Sequence, residues 1–408
     1  MTQAQTMEKF GPVFDADNHY WEASDAFTRH REPKFRERGV QVREVDGVMR
    51  YVIDGQTLIY TQGPADVHPR PEPGAFLGYF VGNVKATKFR EAFEVEPATR
   101  PEWYNRDQRL KIMDAQGVEA AWMFPSQGVI LEAPMLATGD VEATMACMRA
   151  FNRWVDDEWG FAYKNRIFGV PYMTLSDPEN AVAELKWAIE RGARVVHLRH
   201  GPAVTRDGLR SPAHPMFDTF WGLAEEAGIV VSVHAGADRS YLDIHETLRN
   251  MYGERPDGSA IQMTPDSVLN PSIFSAMTRG RVIHDFAFVL VAHRLFERFP
   301  KLRVAFVENG SAWVPSLLQA LEYLDHSGEY VQSPKQQFID HCWVVPFPED
   351  NLDTLARCFP ANRIMFGSDW PHGEGLAHPT DFFEYVKDFS AEDQRRIMYD
   401  NVRELTFA

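Results

Sequence analysis

The chain has few cysteines, and none of them form a recognisable motif. Its 408 residues include three, Cys147, Cys342 and Cys358, without CxxC spacing. An odd number of isolated thiols predicts neither a disulfide framework nor a zinc knuckle, and it is typical of a reducing compartment. We therefore expect a cytoplasmic protein, in which Cys342 is a buried structural thiol of a strand.

Basic side chains are scarce relative to acidic ones. Lys and Arg number 42 against 58 Asp and Glu, which gives a net charge of −16 without a basic cluster. Because proteins bind nucleic-acid phosphates with clustered cations, this balance argues against a nucleic-acid partner. The expected partner is a small-molecule substrate.

Long apolar runs are absent as well. Residues 1–12 lack an apolar core with basic flanks, so no secretory signal is predicted. The apolar stretch Phe286–Ala292 reaches His293 and Arg294 far short of the ~18 residues that a membrane span requires. We expect a soluble chain with no membrane partner.

Eight short apolar runs alternate with amphipathic segments along the chain. This alternation is typical of βα units around a parallel sheet, and eight strands close a (β/α)8 barrel. The predicted strands are Val13–His19, Val118–Phe124, Arg166–Met173, Ala193–Arg199, Ile229–His234, Leu302–Glu308, Cys342–Val345 and Arg363–Ser368. We predict an α/β fold, a TIM barrel in which residues 1–408 form a single domain.

Two segments are too long for ordinary barrel loops. Residues 31–100 contain two alternating strands, Val40–Val45 and Met49–Ile53, around an Asp-Gly turn that predicts a β-hairpin. Residues 235–280 are rich in Gly, Pro and polar side chains. Both segments follow the carboxyl end of a barrel strand, the first and the fifth, where such enzymes bind substrate. We interpret them as a lid and an active-site loop. A contact in a homo-oligomer is an equal alternative for the first.

Four candidate metal ligands follow predicted strands. Asp17 and His19 are two residues apart at the end of the first strand, so strand geometry directs both side chains into the barrel mouth. His234 ends the fifth strand and Asp369 follows the eighth. Each residue alone would be an ordinary cap or hydrogen-bonded group. Because the carboxyl ends of all barrel strands face one cavity, the four together predict a divalent metal site.

Further candidates follow the fourth and sixth strands. Glu308 has three interpretations: a general base, a further metal ligand or the partner of an arginine. Arg199 could bind a substrate carboxylate, and His200 could donate a proton or reach a second metal. Arg239 and His372 are additional candidates for substrate binding.

A set of short motifs runs through most of the chain outside residues 31–100. They are Asp15-Ala16-Asp17-Asn18-His19 with Glu22, Phe151–Trp154, Asn165–Ile167, Asp177–Ala181, Val233–Gly236, Arg298–Leu302, Phe366–His372 and Asn401–Leu405. Together they resemble the amidohydrolase superfamily, specifically the branch named after aminocarboxymuconate-semialdehyde decarboxylase. The resemblance implies a distorted barrel and one Zn or Mn ion, with Asp17, His19, His234 and Asp369 as ligands.

The chain departs from that pattern at two strands. Decarboxylases of the branch resemble one another in a Glu-x-His or His-x-His on the first strand and a His-x-Gly on the sixth. This chain has Asp17-x-His19 and Glu308-x-Gly310. The fourth strand also lacks the lysine of carbamate-bridged dinuclear sites, although Glu308 could bridge two metals.

Hydrolysis of an amide, ester or lactone of a small acid, aromatic or not, is the leading interpretation. Asp369 or Glu308 would take the proton of a water whose pKa the metal lowers toward about 7. The alternatives are nonoxidative decarboxylation of an aromatic or muconate-type acid, and oxygenation at a site with Fe or Mn, in which two iron ions could bind. A degenerate barrel without activity is a fourth interpretation, which the presence of all four ligand types argues against.

Overall fold

The computed structural model describes most of the chain at the level of single residues. The described residues are 11–58, 63–64, 67, 70–83, the backbone of 95–96, 100–236, 247–248, 250–253, 277–278 and 280–408. Most of the predicted active-site loop 235–280 and much of 59–99 lie outside these residues, so the structure does not test their predicted roles.

Parallel strands form the barrel wall in the order of the chain. In one sheet, the pairing order is Val13–Tyr20, Val118–Pro125 and Ile167–Gly169. In a second sheet, it is Tyr172–Met173, Val195–Arg199, Val230–His234, Arg303–Val307 and Cys342–Val344. Every neighbouring pair is parallel. This is the arrangement predicted for a TIM barrel.

The third predicted strand, Arg166–Met173, is divided between the two sheets. Its first part pairs with the second barrel strand and its last two residues pair with the fourth. Val170 N donates to Met123 O at 3.0 Å, and the Pro171 carbonyl accepts from His197 N at 2.9 Å. Because proline has no N–H, the ladder is interrupted here and the chain crosses from one neighbour to the other.

The eighth predicted strand, Arg363–Ser368, is not a regular strand. Its extended backbone nevertheless closes the barrel, because Met365 N donates to Val344 O at 2.9 Å and Ala16 N donates to Phe366 O at 2.9 Å. Isolated parallel bridges also join this seam to its two neighbours, Asn18 with Trp370 and Val344 with Ile364.

Helices and short turns connect the strands. The α-helices are Leu77–Phe80, Arg106–Gln116, Gly128–Ala137, Val141–Glu158, Pro178–Glu190, Asp218–Glu226, Arg281–Ala292, Leu295–Arg298, Val314–Asp325, Pro334–His341, Leu352–Ala356, Ala391–Arg395 and Asn401–Phe407. The 3₁₀ turns are Pro33–Phe35, Pro101–Trp103, Pro215–Phe217, Ala361–Arg363 and Pro379–Glu384, and Arg396–Asp400 is a π turn. No helix in the described part of the chain is long and apolar enough to cross a bilayer.

Large apolar side chains fill the barrel below its mouth. Phe14, Trp122, Phe168, Val195 and Met365 are buried in one cluster on the inner face of the wall. A larger cluster packs the outer face of the strands against the helices. Because the interior is filled, the carboxyl ends of the strands are the face that remains for chemistry.

The predicted hairpin forms at the outside of the barrel. Val40–Val45 and Val48–Ile53 pair antiparallel around Asp46 and Gly47, whose φ angles of 53° and 77° are those of a type I′ turn. Its base lies against the helix Val141–Glu158, where a Cβ on Gly39 would lie 2.3 Å from Cys147 Sγ. The hairpin therefore packs on an outer helix.

A later part of the same insertion contacts the barrel mouth. Gly74 N donates to His372 O at 3.1 Å, and Phe76 N donates to Gly373 O at 2.6 Å. These hydrogen bonds join the insertion to the loop that follows the eighth strand. Within the described part of the insertion, residues 70–83 are the segment with the position expected of a lid.

Candidate metal centre

Four side chains from three barrel strands meet at the mouth. Asp17, His19, His234 and Glu308, called here the first ligand group, offer one ligand atom each within 4.8 Å of one another. His234 Nε2 lies 2.9 Å from Glu308 Oε2 and 3.4 Å from Asp17 Oδ1. His19 Nε2 lies 3.2 Å from Asp17 Oδ1. Both imidazoles and Asp17 are buried.

A second ligand group overlaps the first. It consists of His19, Glu308, Asp369 and His372, again with one atom each within 4.8 Å of one another. Asp369 Oδ1 lies 3.3 Å from His19 Nε2 and 2.7 Å from His372 Nδ1. The two overlapping groups therefore contain all five predicted metal ligands, and the second also contains His372, which was predicted to bind substrate.

Backbone conformation directs two of the carboxylates into the mouth. Glu308 and Asp369 have φ angles of 52° and 56°, in the left-handed region that side chains other than glycine rarely occupy. Each follows a stretch of extended backbone in the barrel wall. The left-handed turn bends the chain away from the wall at the position of the carboxylate, and it costs conformational free energy of order 1–3 kcal/mol at each residue.

Asp15 holds the first strand against Arg363–Ser368, the eighth predicted strand. Its carboxylate accepts hydrogen bonds from Ser368 N at 2.9 Å, Ser368 Oγ at 2.5 Å and Asn18 Nδ2 at 2.9 Å. Burial raises the pKa of Asp15 to about 6, although these hydrogen bonds oppose the shift. The clamp fixes the positions of Asp17 and Asp369, which lie one or two residues away along the chain.

Arg109 supports the first strand from behind. Its Nη1 donates to Asn18 Oδ1 at 2.6 Å and to the His19 carbonyl at 2.7 Å, and its guanidinium lies 4.4 Å from the Trp370 ring centroid. Complete burial lowers the pKa of Arg109 to about 9. This contact joins the helix Arg106–Gln116 to both sides of the seam.

Charges in the mouth shift the pKa values of the ligand groups. Burial lowers the pKa of His234, but Glu308 and Asp17 outweigh burial and raise it to about 10. Burial opposes ionisation of Glu308, yet His234 and His19 lower its pKa. Burial and the Glu308 charge raise the pKa of Asp369 well above its usual value.

The donor set fits a divalent metal. Asp17 Oδ1 and Asp369 Oδ1 are buried without a hydrogen-bond partner. His234 Nδ1 lies 2.7 Å from the Ala235 carbonyl, so it donates there and its Nε2 lone pair faces the carboxylates. Convergent lone pairs of imidazole nitrogen and carboxylate oxygen are the ligands of Zn, Mn and Fe in proteins.

The other predicted site residues lie outside both ligand groups. Arg199 Nε donates to Glu132 Oε2 at 3.2 Å, and Arg199 Nη2 donates to the Pro202 carbonyl at 2.7 Å. His200 is buried, with Nδ1 3.4 Å from the His234 carbonyl. Arg239 lies outside the described residues. The contacts of Arg199 are structural, so its role in substrate binding gains no support from its surroundings.

Several polar residues at the mouth were not assigned a role from the sequence. Glu22 accepts from Gly128 N at 2.7 Å and from Gln127 N at 2.9 Å, while burial raises its pKa to about 7. Burial and the Glu308 charge raise the pKa of Glu374 to about 7. Only the position of Glu374, two residues after His372, could have indicated it.

Arg70 reaches the mouth from the insertion. Its side chain is fully buried, its guanidinium lies 4.5 Å from the Trp21 ring centroid, and the Trp21 and His372 ring centroids are 5.1 Å apart. Its charge contributes to the lowering of the His372 pKa, after burial and His19. Nothing in the local sequence around Arg70 places it near the barrel.

Solved structures are similar to this chain. An amidohydrolase from Mycobacterium avium subsp. paratuberculosis K-10 is 35% identical, with a TM-score of 0.87 over 97% of this chain and 99% of that one. A 5-carboxyvanillate decarboxylase from Sphingomonas paucimobilis is 15% identical, with a TM-score of 0.58 over 97% and 98% of the two chains. A dihydroxybenzoic acid decarboxylase from Polaromonas sp. JS666, with bound manganese and 2-nitroresorcinol, is 18% identical, with a TM-score of 0.55 over 81% and 93%. The two decarboxylases show a shared fold.

Sequence comparison identifies the family. No curated protein matches the chain significantly. The profile described as amidohydrolase matches residues 14–405, a range that includes both ligand groups. The resemblance found in the sequence motifs is confirmed, and the chain belongs to the amidohydrolase family.

Proposed function

We propose that the chain is a metal-dependent hydrolase that cleaves an amide, ester or lactone bond of a small acid. The observation that carries this proposal is the first ligand group, in which Asp17, His19, His234 and Glu308 converge at the barrel mouth. The manganese bound in the Polaromonas decarboxylase, which shares the fold, supports a divalent metal here as well. Zn or Mn suits the donor set, and Fe is the alternative.

The residues around this group have distinct tasks. A bound divalent metal supplies Lewis-acid polarisation and acidifies water. The Ala235 carbonyl fixes the His234 ring, so that Nε2 faces the group. Asp369 lies outside the first ligand group, 3.3 Å from His19 Nε2, and its carboxyl takes a proton from water and delivers it to the leaving group.

The test is a comparison of reaction products with the protein in its metal-loaded form. We expect acid release from a panel of aryl amides, esters and lactones, measured by pH-stat titration. The variant D369N should lower kcat at least about 100-fold, as expected for a proton-transfer group, while the metal of the first ligand group stays bound. The exposed-surface variant D340N is the matched control. Turnover of no compound in the panel would overturn the proposal.

Nonoxidative decarboxylation is the second candidate function. It is supported by the shared fold with the two decarboxylases. Incubation with 2,6-dihydroxybenzoate and 5-carboxyvanillate separates the two candidates. Release of CO₂ without hydrolysis of the panel would establish decarboxylation instead.

We also propose that the protein works in the cytoplasm as a homo-oligomer. Cys147, Cys342 and Cys358 are free thiols, which supports a reducing compartment. Tyr323 and Val331 are 78% and 94% exposed, which supports a contact between subunits on that side. Sedimentation velocity of the wild type and of a Y323E/V331E variant tests the oligomer, because the variant should be monomeric.

A further inference from the structure

The insertion docks through backbone atoms onto the loop that carries His372. We call residues 70–77 the strap and residues 372–377 the rim loop. Gly74 N of the strap donates to the His372 carbonyl at 3.1 Å, and Phe76 N donates to the Gly373 carbonyl at 2.6 Å. His372 belongs to the second ligand group. The strap therefore holds the backbone of a residue of the candidate metal centre.

Glycines make this contact close. A Cβ on Gly74 would lie 2.7 Å from Ala377 N, and a Cβ on Gly373 would lie 2.9 Å from two ring carbons of Phe76. Non-bonded atoms in folded proteins do not approach so closely, so a side chain at either position would push the strap and the rim loop apart. The two segments are thus packed against each other as tightly as a protein interior.

The rim loop is tied in turn to the end of the barrel wall. Leu376 N donates to the Ser368 carbonyl at 2.9 Å, and a Cβ on Gly375 would lie 2.6 Å from the Ser368 and Asp369 carbonyl oxygens. The side chains meet as well, since Asp369 Oδ1 lies 2.7 Å from His372 Nδ1. A shift of the rim loop would therefore move His372 relative to Asp369.

Side chains continue the contact from the strap to the first ligand group. The Arg70 guanidinium lies 4.5 Å from the Trp21 ring centroid, and the Trp21 and His372 centroids are 5.1 Å apart. The His372 ring stacks on the His19 ring at 4.0 Å and 29°. Flat groups and cations at such spacings attract one another. The His372 ring is therefore held between Trp21, which the buried Arg70 of the strap contacts, and a candidate metal ligand.

An ion pair attaches the strap on its other side. Glu72 Oε1 lies 2.7 Å from Arg100 Nη2. The chain continues from Arg100 to Trp103, whose carbonyl accepts from Trp21 N at 3.1 Å. Both partners of the ion pair are about a third exposed, so the pair itself is weak. It places the strap on the segment that also holds Trp21.

We propose that the strap positions His372 and, through it, Asp369 for the proton transfer of the proposed function, on which this inference rests. Gly74 lies outside both ligand groups and is a positioning residue, because it lets the strap reach the rim loop. A lid that only covered a bound substrate would leave the His372 ring in place. The contacts of the strap end on His372 itself, and a displacement of about 1 Å at a reacting group can cost about 100-fold in rate.

Two glycines of the insertion give a matched pair of variants. Gly74 and Gly82 have φ angles of 77° and 80°, so alanine introduces the same kind of backbone strain at both positions. A Cβ on Gly82 would meet no atom of the described residues within 4 Å. G74A and G82A therefore differ in whether the new methyl group pushes the strap away from Ala377.

Hydrogen exchange of the full metal-loaded chain measures docking and the position of His372 without any substrate. In G74A, the amides of residues 74 and 76 and the C2 hydrogen of the His372 ring should exchange at least about 10-fold faster than in the wild type, because the strap opens locally. In G82A, all three should exchange as in the wild type. Unchanged exchange at His372 in G74A would overturn the proposal.

Kinetics on the hydrolysis panel separates positioning from covering. We expect kcat of G74A to fall about 10–100-fold, with KM within about threefold of the wild type, and G82A to keep both constants. A raised KM with unchanged kcat would show that the strap only covers the substrate, and the proposal would be wrong.

A second variant approaches the contact from the rim loop. Gly373 lacks the left-handed backbone of Gly74, so G373A adds a methyl group against Phe76 without that strain, and it should reproduce G74A in both measurements. Wild-type exchange and kcat in G373A would contradict the proposal. A wild type that hydrolyses no compound of the panel would refute the proposed function, and the exchange rates would still decide this inference. Turnover by G74A equal to that of the wild type would refute the inference alone.

Discussion

Two walls of the barrel mouth are built from the same kind of strand end but differ in how their charged side chains are satisfied. One wall carries the candidate metal ligands of the first and eighth strands and is called here the ligand wall. Its Asp17 Oδ1 and Asp369 Oδ1 are buried without hydrogen-bond partners. On the fourth-strand wall, Arg199 donates to Glu132 and to the His200 and Pro202 carbonyls at 2.7–3.2 Å. Glu132 also accepts from Tyr172 Oη at 2.8 Å.

The difference shows that position at a strand end does not by itself identify a functional residue. All of these side chains follow the carboxyl ends of barrel strands or contact them. What separates Arg199 from Asp17 and Asp369 is whether the chain itself satisfies the charged side chain. Carboxylate oxygens that converge without donors point to a bound cation, whereas a satisfied ion pair indicates a role in stability.

The largest effect is expected from the ligand wall. D17A removes a buried oxygen of the first ligand group, so the chain should lose its metal and at least about 10³-fold in kcat/KM, which is about 4 kcal/mol of transition-state stabilisation. Circular dichroism should show an unchanged fold. Elemental analysis checks the metal content, and full occupancy in D17A would remove Asp17 from the ligand set.

The fourth-strand wall should respond in the opposite way. R199M leaves the Glu132 carboxylate buried without its cation, so the free energy of unfolding should fall by about 3–5 kcal/mol while the metal content stays constant. Urea denaturation measures the change. Replacement of both partners, E132L with R199M, should recover most of the loss. If R199M loses metal but no stability, the distinction between the walls is wrong.

A smaller effect is expected where the chain supports the ligand wall. Ser368 Oγ donates to Asp15 at 2.5 Å and accepts from Trp370 N at 3.1 Å. S368A should therefore lower the free energy of unfolding by about 1–3 kcal/mol. Calorimetry of metal-free protein checks this value. S390A, which removes a hydroxyl from an exposed helix cap, provides the comparison and should cost about 1 kcal/mol or less.

The smallest effect concerns a buried imidazole that lies away from both walls. His341 Nδ1 lies 2.8 Å from the Leu302 carbonyl, the ring stacks on Phe296 at 4.5 Å, and burial lowers the His341 pKa below 6.5. The unfolded chain therefore takes up this proton first. His341 reduces stability as pH falls through about 6.5 and has no such effect above it.

Denaturation of wild type and H341F between pH 5 and 7.5 measures this contribution. The difference in the free energy of unfolding between the two proteins should shift in favour of H341F as the pH falls. Parallel curves for the two proteins across this range would show that His341 is not the group responsible.

The residues of the ligand wall could be predicted because each of them can be placed from its position at the end of a predicted strand. Two-residue alternation directs Asp17 and His19 to one side, and parallel strands bring His234 and Asp369 to the same end. The hairpin was equally local, since Asp46-Gly47 determines its turn. The partner of Arg199 could not be predicted in this way, because Glu132 lies 67 residues earlier in the chain. No sequence pattern near Arg199 indicates whether its guanidinium is already satisfied.

The left-handed backbone at Glu308 and Asp369 affects how the sequence would evolve if the reaction were no longer needed. Glycine at either position would relieve local backbone strain of order 1–3 kcal/mol while abolishing a ligand. A lineage released from the need for the reaction would thus gain stability by drifting to glycine at 308 or 369. The barrel would remain folded after activity is lost. A glycine at position 308 or 369 would therefore mark an inactive descendant.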